Sequence, residues 1–258
     1  MYATERQQLI ERMLADDGRV AVLDLAARFD VTTETVRRDL AALEDAGALR
    51  RVHGGAVSPE RTSVAEPSVA ERSQRHSAAK ERIARRALAA LPNGTGSVYL
   101  DAGTTTAALA AALVTRAETR GCEVVTHSMT IAHTLAGAPG IGLTAIGGRV
   151  RGLTAAAVGS DTVAAIGRLR PDVAFLGANG IASGAGLTTP DPDEAAVKRA
   201  IVAGARRVIV LVDADKFDAE LLVSFADLSE LDVVVSDREP GAGLARALRE
   251  ADVEVWIA

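Results

Sequence analysis

The sequence has little cysteine and few aromatic residues. Its 258 residues include a single cysteine, Cys122, which excludes an intramolecular disulfide framework and a zinc site built from several cysteines. We expect Cys122 to be a small residue that fills the core. No two of the four histidines have the spacing of metal ligands, so we also expect no metal.

Long apolar runs are lacking as well. The longest, such as Val208 to Val212, are far shorter than a bilayer span, and Glu5 and Arg6 stand where a secretory signal needs an apolar core. These features predict a cytoplasmic protein. With 48% hydrophobic and 24% charged residues, the composition is that of a soluble globular chain.

An excess of positive charge is also absent. The net charge of −5 argues against a protein that coats nucleic acid without regard to sequence, because such binding depends on neutralising phosphates. Any contact with nucleic acid must therefore come from a local basic surface.

The first 57 residues predict a compact run of helices and turns. Thr4 to Gln7 has the spacing of a capping box, apolar residues at helical period follow to about Ala15, and Leu23 to Phe29 predicts a second helix. Thr32 can cap a third helix, whose buried stripe is formed by Val36, Leu40 and Leu43. No side chain near Ala21 can cap the second helix.

A hairpin is predicted after the third helix. Leu49 to Val52 can return through Gly54 and Gly55 to Ala56 and Val57, which would place the basic residues of the hairpin beside the third helix. A helix with outward hydroxyls and guanidinium groups suits the major groove of DNA. The candidate DNA-binding residues are Thr33, Thr35, Arg37, Arg38, Arg50, Arg51 and His53. The alternative interpretation is that Arg37, Arg38 and Asp39 form a solvated helix face with internal salt bridges.

The rest of the chain predicts an α/β domain. Short apolar runs alternate with alanine-rich helices, which indicates a mostly parallel sheet covered on both faces. The predicted strands are Val98 to Leu100, Val124 to Val125, Leu143 to Ile146, Val173 to Leu176, Val208 to Val212, Val233 to Val235 and Val253 to Ile257. We predict a DNA-binding domain at 1–57, a linker at 58–80 and an effector-sensing domain at 81–258.

Polar residues and glycines gather where five of these strands end, and the carboxyl ends of parallel strands share one edge of a sheet. Gly103 and the threonines after it open a helix, whose free N–H groups attract an anion, and Asp101 and Ser128 suit sugar hydroxyls. The candidate effector-binding residues are Asp101, Gly103, Thr104, Thr105, Thr106, His127, Ser128, Gly147, Gly148, Arg149, Asn179, Gly180, Lys198, Asp213 and Lys216.

Purely structural interpretations remain open for some of these residues. The segment from Asp101 to Thr105 can be a simple capped turn. Glu194 and Lys198, four positions apart on one helix, can be a surface ion pair worth about 0.3–0.5 kcal/mol.

These residues together resemble the DeoR-type bacterial transcriptional regulators over essentially the whole chain. The resemblance is carried by Thr33 to Leu40, His53 to Ala56, Asp101 to Thr105, Gly147 and Gly148, Glu194 to Ala200 and Asp213 to Phe217. It implies a winged helix-turn-helix, an effector domain similar to ribose-5-phosphate isomerase, a homodimer or homotetramer, and repression relieved by a phosphorylated sugar. It implies no cofactor. Two positions depart from the family pattern, which commonly has asparagine in place of His127 and serine in place of Asp215.

We therefore expect a sugar-metabolism regulator, associated with the nucleoid when bound to its operator. The segments 177–180 and 188–194 are most similar to members near fructose-utilisation genes, which makes a fructose phosphate the first candidate effector. An alternative is a sugar-phosphate isomerase with an accessory DNA-binding domain, in which Asp101, Asp213 and Lys216 serve proton transfer. A constitutive architectural DNA binder is opposed by the acidic charge and by the large α/β domain.

Overall fold

The computed structural model describes residues 2–17, 19–52, 54–57, 66–92, 95–115 and 121–258, and the chain forms two compact units, residues 1–65 and 66–258. The boundary differs from the expected linker at 58–80. Residues 66–80 pack as part of the second unit, because they form helices that contact the α/β domain.

The first unit has the expected order of helix, helix, turn, helix and hairpin. Its elements are α1 (Ala3–Asp17), β1 (Arg19–Ala21), α2 (Val22–Phe29), α3 (Thr33–Asp45), β2 (Arg50–Val52) and β3 (Gly55–Val57). The strand β1 was not predicted; it pairs antiparallel with β3 and gives a three-stranded sheet in the order β1-β3-β2. Three helices and a β-hairpin make this unit a winged helix-turn-helix.

Local chemistry explains how α2 and α3 begin. The Thr32 hydroxyl accepts a hydrogen bond from the Thr35 backbone N–H at 3.2 Å, as expected for a cap of α3. The residue before α2, Ala21, provides no side-chain cap, and the Val22 N–H instead donates to the Gly54 carbonyl at 2.8 Å. The turn of the hairpin thus supplies the acceptor that the helix sequence lacks.

The predicted apolar stripe of α3 is confirmed, since Val36, Leu40 and Leu43 are buried. They pack with Ile10 of α1 and Leu25 of α2 in one core.

The second unit alternates strands and helices. Its elements are α4 (Val69–Gln74), α5 (Ser77–Ala87), β4 (Gly96–Leu100), α6 (Thr104–Val114), β5 (Cys122–Thr126), α7 (Met129–Leu135), β6 (Ile141–Ala145), β7 (Arg149–Arg151), β8 (Ala156–Val158), α8 (Ser160–Ile166), β9 (Val173–Leu176), β10 (Gly180–Ala182), β11 (Gly186–Thr189), α9 (Pro192–Gly204), β12 (Val208–Leu211), β13 (Val223–Ala226), β14 (Val233–Ser236), α10 (Ala242–Glu250) and β15 (Glu254–Ile257). Short 3₁₀ turns cover Leu88–Ala90, Ala214–Lys216 and Leu228–Glu230.

Seven of these strands, all of them predicted, form a parallel sheet in the order β15-β14-β12-β9-β4-β5-β6. Side chains alternate between two apolar cores along β4: Tyr99 packs in one core, whereas Val98 and Leu100 pack in the other. Cys122 is buried in the second core, as expected. The sheet is therefore covered on both faces, which confirms the predicted fold class.

Two smaller sheets were not predicted. The hairpin β7-β8 follows the glycines at 147 and 148, and β10, β11 and β13 form an antiparallel sheet that begins at Gly180. Their three- and four-residue strands are too short to give a clear alternation of apolar and polar residues.

Within the described residues, no helix is long and apolar enough to cross a membrane. The same part of the chain contains no group of three or more histidine, cysteine and acidic side chains placed to hold a metal ion.

Candidate functional sites

The outer face of α3 presents the predicted DNA-contacting side chains. Arg37 and Arg38 are 62% and 80% exposed, and each lies near the Glu34 carboxylate, at 3.8 and 3.6 Å. Exposed pairs of this kind contribute about 0.3–0.5 kcal/mol, so both guanidinium groups can exchange Glu34 for another anion. Thr33 and Thr35, at the start of the same helix, are partly exposed.

Asp39, the third residue of the Arg-Arg-Asp run, has a structural role that the sequence did not reveal. Its carboxylate accepts two hydrogen bonds from the Arg6 guanidinium, at 2.7 and 3.2 Å, and both side chains are buried. This ion pair joins α1 to the inner face of α3. It orients the helix so that Arg37 and Arg38 face outward.

The hairpin places its arginines differently. Arg51 is bound by Glu44 of α3, which accepts from its backbone N–H at 2.8 Å and from its Nε at 2.6 Å, and these bonds lower the Glu44 pKa. Arg50 is exposed on β2. His53 lies outside the described residues, so its role in DNA binding stays a prediction.

A buried polar network lies at the carboxyl ends of β4 and β9. Oδ2 of Asp101 accepts from the Lys198 ammonium and from the Gly177 N–H at 2.9 Å, and Lys198 also donates to the Gly177 carbonyl at 2.8 Å. Asp101 is fully buried and Lys198 is 4% exposed. In the part of the chain that the structure describes, Oδ1 of Asp101 is buried and has no hydrogen-bond partner.

His127 extends this network from the end of β5. Its Nε2 lies 3.7 Å from Asp101 Oδ1, and its Nδ1 lies 3.0 Å from the Tyr99 hydroxyl. Burial lowers the pKa of His127 to about 4, a larger effect than the nearby Asp101 charge, which raises it. The imidazole is therefore neutral at physiological pH and carries one N–H.

The start of α6 is the place where the sequence predicts an anion cradle. Gly103 is the N-cap and has no side chain, so the first N–H groups of the helix receive no side-chain cap. The Thr106 hydroxyl donates to the Asp101 carbonyl at 2.7 Å, which uses it to shape the turn. A small cleft of about 30 Å³ adjoins the start of α6 and is lined by Val69, Ser73, Gly103, Thr104, Ala107, Ser128, Thr130 and Thr154.

Of the fifteen predicted effector-binding residues, Gly103, Thr104 and Ser128 line this cleft and the other twelve do not. Gly147 and Gly148 are exposed, and Arg149 on β7 is 65% exposed and ion-paired with Asp193 of α9. Gly180 is buried at the start of β10. Ser128 does line the cleft, although its hydroxyl also caps α7 by accepting from the Ile131 N–H at 3.3 Å.

Asp213 and Lys216 lie beyond the end of β12, near Lys80, a buried lysine that was not among the predicted residues. Lys80 of α5 is 6% exposed, and its ammonium donates to the Arg75 carbonyl at 2.6 Å and to the Arg72 carbonyl. Burial lowers the pKa of Lys80 to about 8, although Asp213 raises it. Asp215, which departs from the family pattern, forms no ion pair with Lys216 in the described structure. Its carboxylate contacts His76 at 2.8 Å and Arg238 at 3.5 Å.

The open question about Glu194 and Lys198 is settled by burial. Neither residue is on the surface, and they bind different partners: Lys198 binds Asp101, while Glu194 lies 3.3 Å from Arg151. Burial raises the pKa of Glu194, and the nearby Glu66 carboxylate adds to the rise.

Glu66, whose side chain is 1% exposed, is a further buried charge that was not predicted. Its carboxylate contacts Arg151 at 2.7 Å, Arg72 at 3.3 Å and the Asn179 amide at 3.4 Å. The partners of Glu66 include residues 85 and 113 positions away, so no local pattern could have revealed the site.

A winged helix-turn-helix with two outward arginines, followed by an α/β unit with an anion cradle, defines the class of ligand-sensing DNA-binding proteins. Comparison with known proteins identifies the particular family. Residues 6–62 match the DeoR-like helix-turn-helix domain and residues 75–238 match the DeoR C terminal sensor domain. The chain belongs to the DeoR family of transcriptional regulators.

Relatives align over nearly the whole chain. The glycerol-3-phosphate regulon repressor of Escherichia coli (strain K12) is 32% identical over 257 residues, covering 100% of both chains. A transcriptional regulator of Bacillus subtilis (strain 168) named FruR is 34% identical over 239 residues, covering 93% of each. These relatives are named as regulators, which supports a regulator over the isomerase alternative.

The likeness to solved structures is partial. Ribose 5-phosphate isomerase A from Methanocaldococcus jannaschii has 18% sequence identity and a TM-score of 0.40, covering 54% of this chain and 53% of that chain. A likeness at this level adds nothing to the sheet topology described above.

Proposed function

We propose that this protein represses sugar-utilisation genes and is released from its operator by a phosphorylated sugar. The observation that carries the proposal is that one chain has two different candidate sites: the exposed arginines of α3, and a buried Asp101-Lys198 network beside the start of α6. The first site suits DNA, and the second suits a small ligand that has both an anionic group and hydroxyls.

On the DNA side, the proposed contacts are Thr33, Thr35, Arg37 and Arg38, together with the hairpin residues predicted from the sequence, Arg50, Arg51 and His53. Arg37 and Arg38 are the strongest candidates because, among the described residues, only weak pairs with Glu34 compete for them. Arg51 must first leave Glu44, which makes it a weaker candidate.

On the ligand side, the free N–H groups at the start of α6 hold the phosphate, and Asp101 Oδ1 accepts from a hydroxyl. Lys198 binds the other oxygen of Asp101, and neutral His127 provides a further polar group near Oδ1. A fructose phosphate is the first candidate. Glycerol 3-phosphate is the natural comparison, since a relative's name carries it.

Release from the operator follows from a population shift. An oligomer, either a homodimer or a homotetramer, holds two recognition helices at the spacing of the operator half-sites, and the bound effector favours another arrangement. The protein acts in the cytoplasm, at the nucleoid when bound to its operator.

The DNA half of the proposal is tested by Arg37→Ala and Arg38→Ala. Loss of a bidentate base contact costs about 1–3 kcal/mol and relaxes specificity at one base pair, whereas loss of a phosphate contact weakens all sequences and lowers the salt slope by about one. Gel shifts over a series of salt concentrations separate the two. Normal operator binding by both variants would overturn the assignment of α3.

The ligand half is tested by a thermal-shift screen with sugar phosphates and the matching free sugars. A ligand that binds only the native state raises the melting temperature with the logarithm of its excess. The expected result is a shift with one phosphorylated sugar and none with its free form. The same mixtures assayed for interconversion test the isomerase alternative, and turnover would contradict the proposed function.

A further inference from the structure

One wall of the cleft comes from the first residues of the second unit. We call residues 66–76, which include α4, the strap. The strap contributes Val69 and Ser73 to the cleft, opposite Gly103 and Thr104 of the cradle. The Val69 N–H donates to the Leu153 carbonyl at 3.0 Å, which ties the strap to the segment that carries Thr154.

The strap is anchored at both ends. At its start, Glu66 is bound by Arg151, Arg72 and Asn179, and its side chain is buried. At its end, the Lys80 ammonium binds the carbonyls of Arg72 and Arg75. The chain therefore enters the second unit through a segment that is fixed across the proposed effector site.

The Glu66 anchor is not an optimal ion-pair cluster. Arg151 also contacts Asp191 at 3.1 Å and Glu194 at 3.3 Å, so three carboxylates surround two guanidinium groups. The Nε of Arg72 is buried and has no hydrogen-bond partner in the described structure. Excess negative charge and an unsatisfied N–H both weaken the hold on Glu66.

We propose that Glu66 is a positioning residue that holds the strap over the effector cleft, so that ligand binding and the conformation of the chain entering the second unit change together. This inference rests on the proposed function, because the cleft must bind the effector for the coupling to matter. Coupling between two sites is reciprocal. A ligand that contacts Val69 and Ser73 therefore stabilises the strap in its observed position, and loosening the strap lowers the affinity for the ligand.

The test compares Glu66→Gln with Glu81→Gln in the full-length protein. Both variants lose one negative charge, but Glu81 is exposed on α5, 3.9 Å from Arg85, and lies outside the cleft lining. Hydrogen exchange is measured on peptides from the strap and from β4 and β9. In Glu66→Gln the strap should exchange at least about tenfold faster while β4 and β9 keep their protection, because removing one partner of a buried pair is strongly unfavourable.

The second readout is ligand affinity, measured by calorimetry with fructose phosphates, glycerol 3-phosphate and inorganic phosphate. For whichever sugar phosphate the wild type binds, Glu66→Gln should weaken binding about tenfold or more and leave ligand-free operator affinity unchanged. Glu81→Gln should match the wild type in both readouts.

The inference is overturned if the strap exchanges at the same rate in Glu66→Gln and in Glu81→Gln. It is also overturned if exchange in Glu66→Gln becomes faster throughout the second unit, because that result indicates a merely structural role. If Glu66→Gln does not fold, Arg72→Gln is measured in the same way, with the same expectation. If the wild type binds no sugar phosphate, the proposed function fails, whereas the exchange data still decide whether Glu66 holds the strap.

Discussion

Replacing His127 with asparagine should make the second unit less sensitive to acid. His127 is 3% exposed, and burial lowers its pKa to about 4. In the unfolded chain a histidine has a pKa of about 6.5. Between these two values the unfolded chain binds a proton that the folded protein excludes, so the free energy of unfolding falls as the pH falls from about 6.5 to about 4.

The magnitude follows from the difference between the two pKa values. The step from a pKa of about 6.5 to a pKa of about 4 corresponds to about 3 kcal/mol over the whole range, and about 2 kcal/mol of it is lost between pH 7 and pH 5. Carboxylates also titrate in this range, but they are shared by the wild type and the His127→Asn variant. The wild type should therefore lose about 2 kcal/mol more than the variant between pH 7 and pH 5.

The assay is urea unfolding followed by the fluorescence of Trp256, the only tryptophan, which lies on β15 and so reports on the second unit. His133→Asn removes an exposed imidazole from α7 and is the control; it should retain the wild-type loss. Equal losses in the wild type and His127→Asn would refute the reasoning, because they would mean that His127 is protonated beside Asp101 in the folded protein.

Two further predictions concern contacts that the sequence alone misjudged or missed. Arg6→Leu leaves the Asp39 carboxylate buried and without its partner, which should destabilise the first unit by about 3–5 kcal/mol. The measurement is hydrogen exchange in α3, which should become faster. Adding Asp39→Leu to this variant should recover most of the protection. Lys198→Met removes the ammonium from buried Asp101 and should weaken sugar-phosphate binding by about 2–5 kcal/mol in calorimetry. Arg149→Ala, which breaks an exposed ion pair, should change the binding free energy by less than about 1 kcal/mol. Equal effects of the two variants would contradict the proposal that the Asp101-Lys198 network belongs to the ligand site.

The features that depend on local pattern were predictable from the sequence. The seven strands of the parallel sheet are continuous apolar runs, and the buried stripe of α3 repeats at helical period, so both are visible in short windows. Asp101 and the start of α6 were predictable because polar residues directly follow a strand and open a helix.

Features that depend on distant partners were not predictable. Residues 66–76 carry serine, proline and mixed charges, which is typical of a linker, yet Glu66 binds Arg151 across 85 positions of sequence. Asp39 and Arg6 are 33 positions apart, and Lys198 and Asp101 are 97 apart, so neither pair has a local signal. Arg149 was predicted at the site because it follows two glycines at a strand end, but the hairpin β7-β8 carries it outward to Asp193.

The most direct test of the account is operator affinity with and without the ligand. The protein is titrated into fluorescent duplex DNA from the region upstream of its own gene, at one fixed salt concentration, because salt alone changes such affinities strongly. We expect the phosphorylated sugar identified by thermal shift to weaken operator binding by about tenfold or more, and its free sugar to have no effect. Unchanged operator affinity at saturating sugar phosphate would contradict the account.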